Sequence, residues 1–124
     1  MFIITCTAED VLNVREFDES KSYETISDFI EGRFDCIYLH NLGVDMWIHD
    51  EGKINNLPIN ALGTALWLSE FGPTDYIAGN IVITDGPDEE GKTRGLSFEK
   101  VEEILKNVVK AVDDFTTHIT EEES

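Results

Sequence analysis

The chain reads as an α+β domain: about five mostly antiparallel strands, with two or three helices covering one face. Three observations carry that reading. Several short stretches alternate apolar and polar residues, the period of half-buried strands. Other stretches repeat their apolar residues every three or four positions, as helices do. Neighbouring strand-like stretches follow one another closely, which suits antiparallel pairing.

FIITCT alternates as a first strand, and Val11, Val14 and Phe17 mark a second before the polar break DESKS. Ser22 can cap a short helix with Tyr23, Ile26, Phe29 and Ile30 on one face and Glu24, Asp28 and Glu31 outward, stopped by Gly32. FDCIYLH is a strand. In LGVDMWIH, Val44, Met46 and Ile48 alternate with Asp45, Trp47 and His49, and DEGK then turns the chain. Asn60 can cap a helix whose apolar side is Leu62, Ala65, Leu66 and Trp67, ended by Gly72-Pro73. DYIAGNIVITD is a further strand with Gly79 at a bulge or close-packing point, and DGPDEEGKTRG is a polar loop. From Ser97 as N-cap, Val101, Ile104, Leu105, Val108 and Val112 trace the strongest helical stripe. A single domain over 1–120 with a frayed acidic tail at 121–124 is expected, since no repeat, linker or boundary interrupts the pattern.

At 124 residues and 41% apolar, the chain can bury a core. No run of about 18 apolar residues occurs, so no membrane span is expected, and MFIITCTAED lacks the basic start of a signal peptide. Cys6 and Cys36 read as buried free thiols and the compartment as a reducing cytoplasm. The charge is the anomaly. Twenty-six acids against nine bases leave a formal −17, which excludes binding to nucleic-acid backbones or anionic lipid as the main activity. The excess runs along the whole chain, with nets of −6, −4 and −7 for residues 1–40, 41–80 and 81–124.

The stretch WIHDEGK invites a test for chemistry. Cys36 and His40 are four apart, which on a strand is about 13 Å and too far for one zinc ion. His49 with Glu51 makes only two ligands. From Asp85, the sixth and twelfth positions are Glu90 and Leu96, so the spacing of an EF-hand calcium loop fails. There is no G-x-S-x-G elbow, no phosphate-cradling glycine loop and no H-E-x-x-H. No catalytic residue, metal site or cofactor is assigned. Asp50-Glu51-Gly52-Lys53 reads as a tight turn with glycine at a positive φ. Trp67 reads as core, while Trp47, on the side of Asp45 and His49, is a candidate for a second face or an interface.

Trp47, His49, Asp50, Glu51, Gly52, then Leu57, Pro58 and Asn60, then Thr64 and Leu66, and finally Gly79, Asn80, Val82 and Ile83 form a recurring pattern. It resembles that of a family of small proteins of unknown function from phages, plasmids and actinobacterial or firmicute mobile regions. Gly63 stands where that family more often has alanine. The resemblance covers roughly residues 22–100 and implies an α+β accessory protein of a mobile element, with no reaction to carry over. It also implies that the turn and the Leu57-Pro58-x-Asn60 approach are a structural signature.

The leading functional expectation is an acidic, non-enzymatic interaction protein. It would bind and block a basic, nucleic-acid-handling surface of a host protein such as a defence nuclease, in one version by imitating DNA. The acids best placed for this are Asp88, Glu89, Glu90, Glu99, Glu102, Glu103, Asp113 and Asp114. The alternative is a small-ligand module with a pocket near the Trp47–His49–Asn60 corner, flanked by Asp50 and Glu51. A homodimer through an exposed strand or the Trp47 face is compatible with either.

Overall fold

The computed structural model describes the backbone of residues 1–123, and the side chains of all of these except 115 and 118–123. The elements run β1 (Phe2–Cys6), β2 (Leu12–Glu16), α1 (Ser22–Ile30), β3 (Phe34–Leu39), β4 (Val44–His49), α2 (Ala61–Phe71), β5 (Ile81–Asp85) and α3 (Phe98–Glu123). Five strands form one sheet in the order β2-β1-β5-β4-β3, and every neighbouring pair is antiparallel. The fold class is the expected one. Among the described residues no helix is long and apolar enough to cross a membrane.

The last strand in sequence lies at the centre of the sheet, between two hairpins. Its run Ile81-Val82-Ile83 is apolar on both faces, as a strand covered from both sides requires. Ile81 and Ile83 join Ile4, Cys6 and Met46 on the face covered by Leu62, Ala65 and Leu66 of α2 and Val101, Ile104, Val108 and Ala111 of α3. Val82 and Ile3 face the other way, against Ile26 and Ile30 of α1, with Phe29, Phe34 and Trp47 around them. The expectation of helices on one face therefore holds for α2 and α3, while α1 closes the opposite face.

Several element ends differ from expectation for local reasons. Helix α1 is ended by Glu31 in the left-handed region (φ 65), whose amide donates to Ser27 O. Gly32 instead leaves room for the His49 ring, which a Cβ there, 2.5 Å from Nε2, would displace. Ser22 is the first residue of α1 and not its cap; Asp18 caps the preceding 3-10 turn by accepting from Ser20 N. The strand expected over 75–85 is confined to 81–85. Residues before it bond to the approach to α2, through Asn60 N to Ile77 O and Gly79 N to Pro58 O, both 2.8 Å, and Gly79 turns with φ 92. Ser97 caps α3 as expected, its Oγ accepting from Lys100 N at 3.1 Å. Along that helix Ala111 is buried and Val112 exposed, reversing the last step of the expected stripe. Helix α3 runs to Glu123, and the acidic tail expected at 121–124 lies outside the residues whose side chains are described.

Candidate functional site

The turn after β4 is built by its own polar groups. His49 Nδ1 accepts from Glu51 N at 2.9 Å, and Leu57 N donates to Gly52 O at 2.9 Å. Asp50 pairs with Arg33 at 3.0 Å. The left-handed residue of this segment is Asn56 (φ 56), not Gly52 as expected. Gly52 is there because a Cβ would stand 2.6 Å from Ala78 O, so only glycine lets the turn lie on the next segment.

Asn60 is 0% exposed and ties three parts of the chain together. Its Oδ1 accepts from Gly63 N at 2.8 Å, capping α2, while its Nδ2 donates to Cys6 O at 3.1 Å and Gly79 O at 3.0 Å. Thr64 Oγ1 accepts from Ile77 N at 3.0 Å. Asn80 does similar work: Nδ2 donates to Phe29 O and Oδ1 accepts from Ala8 N, joining α1 to the β1–β2 hairpin. A buried amide with all these partners is a fastener, since each bond replaces one lost to water.

Trp47, His49 and Asn60 do not converge on one pocket. Trp47 points to the α1 face, edge-on to Phe34, and its Nε1 donates to Thr84 Oγ1 at 2.9 Å. Asn60 sits at the start of α2, which lies on the opposite face. The groove beside the turn takes in His49 and Asp50 but neither Trp47 nor Asn60, and is otherwise lined by Trp67, Tyr76, Ile54 and the Lys53–Asp75 ion pair. Lys53 also stands over the Tyr76 ring at 4.7 Å. Its hydrogen bond holds the Asp75 carboxyl below the usual range. Trp67 packs against the core as expected while its Nε1 donates to Thr74 Oγ1 at 3.0 Å.

The eight acids expected to form a binding surface are divided between a loop and α3. Asp88 belongs to the loop's own framework: its carboxylate accepts from the amides of Lys92 and Glu90, which lower its pKa. Glu89 is exposed, and Glu90 pairs with Lys92 at 3.2 Å. On α3, Glu99, Glu102, Glu103, Asp113 and Asp114 are exposed, but so are Lys106 and Lys110. Lys106 follows Glu102 and Glu103 by four and three positions, and Lys110 precedes Asp113 and Asp114 by three and four. On a helix these spacings set both lysines among the acids. The stripe is mixed.

One pair of polar groups was not singled out from the sequence as a unit. Asp45 is buried, and desolvation raises its pKa, with Asp85 adding to the rise and a hydrogen bond from the Cys36 thiol opposing it. Cys36 is exposed as a residue, correcting the expected burial. Its thiol nonetheless lies against Asp45, and desolvation with that charge pushes it up to about 12. Cys6 is buried and raised to about 11 by burial and then by Asp10. Both thiols stay protonated at neutral pH and are poor nucleophiles. The strand alternation placing Asp45 beside Trp47 was the available signal; the β3–β4 register, Cys36 opposite Trp47, was not. Among the described residues no three of His, Cys, Asp and Glu converge as metal ligands.

No curated protein and no solved structure matches the chain. A family profile described as a domain of unknown function, DUF3846, matches residues 1–109.

Proposed function

From the premise that the chain belongs to the DUF3846 family, a domain of unknown function spanning most of its length, we propose that it is an acidic, non-enzymatic interaction protein. It binds and blocks a basic, nucleic-acid-handling surface of a host protein. The resemblance to proteins of phages and mobile elements suggests a cytoplasmic defence protein, such as a nuclease, as that host. No cofactor, nucleic acid or membrane takes part.

Unneutralised charge carries this reading. Five ion pairs among the described residues engage five of the nine bases. Of the acids whose exposure is described, only Asp45 is buried. Such a surface steers basic partners from a distance and repels anionic ones. A surface of 7238 Å² carrying a formal −17 has one net charge per ~430 Å². Duplex DNA, taken as a cylinder about 20 Å across with a charge every ~1.7 Å, has one per ~100 Å². Imitation of DNA is therefore the weaker form of the proposal, and electrostatic steering the stronger.

The immobilised protein should capture a basic host protein. Replacing Glu99, Glu102 and Glu103 by glutamine should then slow association with it more than it speeds dissociation. Capture of no basic partner, or a partner indifferent to those glutamates and to salt, contradicts the reading.

A second reading, a small-ligand module, is favoured by the groove where Trp67 and Tyr76 meet the Lys53–Asp75 pair. Saturable quenching of tryptophan emission by a nucleotide or metabolite, lost in Trp67→Phe, would select it over the first.

A further inference from the structure

The two edge strands of the sheet are finished differently. In β3 the bond from Asp50 N to Arg33 O sets the alternation, so Phe34, Cys36, Tyr38 and His40 turn their backbone N–H and C=O away from β4. Two acids engage two of these four amides, those of Cys36 and His40. Asp35 Oδ1 accepts from Cys36 N at 2.8 Å and Glu70 Oε1 from His40 N at 2.9 Å. Carboxylates turned onto outward amides discourage another strand from pairing there.

In β2 the bonds Phe17 N to Met1 O and Thr7 N to Val11 O direct the odd residues toward β1. The outward backbone groups are those of Leu12, Val14 and Glu16, and no hydrogen bond among the described residues engages their amides. The same stretch shows apolar side chains to solvent, with Val11 51%, Leu12 37% and Val14 42% exposed. On the other face, Arg15, Thr25 and Asp28 border a groove containing the Thr5 hydroxyl, which is buried with no hydrogen-bond partner. Exposed Glu9, Asp10 and Glu16 bracket the strand, and its base, Arg15, lies over the Phe29 ring at 5.4 Å.

We propose that β2 is the docking edge of this protein and that its occupant is an extended segment of a partner protein in which apolar residues alternate with lysine or arginine. The proposal deepens the acidic-binder reading and rests on it. An added strand takes the outward groups of Leu12, Val14 and Glu16 as its ladder. Its apolar side chains extend the Leu12–Val14 stripe, and the bases on its other face run past Arg15 to Asp28 and to Glu9 and Asp10 at the β1–β2 turn. A second copy of the chain fits worse. Each copy carries a formal −17, so two copies repel as they approach.

Amide hydrogen exchange of the full chain, with a short peptide of alternating lysine and valine and a matched one of alternating glutamate and valine, tests this. The lysine peptide should slow exchange at Leu12, Val14 and Glu16 and leave Cys36 and Tyr38 unchanged, while the glutamate peptide protects none. Val14→Pro removes one outward donor at an edge position where proline is tolerated, and should weaken the lysine peptide about tenfold. Val14→Lys, a substitution that edge strands accept readily, should weaken it as well and serves if the proline variant melts early. Absence of protection at β2, or protection at β3, overturns the proposal. So does self-association abolished by Val14→Pro. Salt-sensitive binding that ignores both Val14 variants but needs Glu99, Glu102 and Glu103 removes β2 while leaving the acidic-binder reading intact. A captured partner indifferent to salt removes that reading itself.

Discussion

Asn60 shows how much one side chain can hold. Asn60→Ala removes the α2 cap together with two buried bonds to Cys6 O and Gly79 O. It should therefore cost about 2–4 kcal/mol, more than the ~1 kcal/mol of a cap alone. An unchanged urea midpoint would contradict this. The capping role was legible because Asn60 precedes a helical apolar run. The other two bonds were not, since their acceptors lie far away in sequence and only the fold brings them together. Asp45 makes the opposite case. Its folded pKa is raised, chiefly by burial, so its contribution to stability is full below the unfolded value near 3.8 and is lost as pH rises through the folded one. Above the folded pKa a charge is held where it is disfavoured. Asp45→Asn should raise the melting temperature at pH 7, and the gain should vanish in acid, where the parent's carboxyl is protonated. A lower melting temperature at pH 7 would show that the charge is needed there.

At the scale of elements, α3 is held by Ile104, which is fully buried, more than by Leu105, which lies at the margin of the core. Ile104→Ala should cost about 2–5 kcal/mol and Leu105→Ala roughly 1–2 kcal/mol. Equal losses in denaturant unfolding would place the helix differently. Strands and helices themselves were legible, because their periods are local: FIITC alternates, and Val101, Ile104 and Val108 repeat. The side on which α1 packs was not. Ile81-Val82-Ile83 is apolar throughout, so its pattern announces burial on both faces without saying which helix covers each. Glycines misled for a related reason. Gly32 and Gly52 admit close neighbours across the fold, which a sequence shows only as glycine, whereas the left-handed residues of these two segments are Glu31 and Asn56. The unequal finish of β2 and β3 likewise depends on register, which alternation along one strand does not reveal.

At the scale of the molecule, the polar residues of the signature around Trp47–Asn60 hold the chain's crossings, and in the proposed reading it is the surface charge that meets partners. His49→Ala should thus cost about 1 kcal/mol through its turn bond to Glu51 N while leaving partner binding unchanged. Acids lie along the whole chain, with lysines among those of α3, so the field acts as a whole more than as one patch. This was legible from composition alone; which strand a partner would meet was not. The most direct measurement is the association rate of the protein with its captured basic partner as a function of ionic strength. Exposed charges lose one another beyond about 8 Å at physiological salt, so the rate should fall steeply from low salt through that range. A rate that stays flat across it would mean that the acidic surface does not bring the partner in.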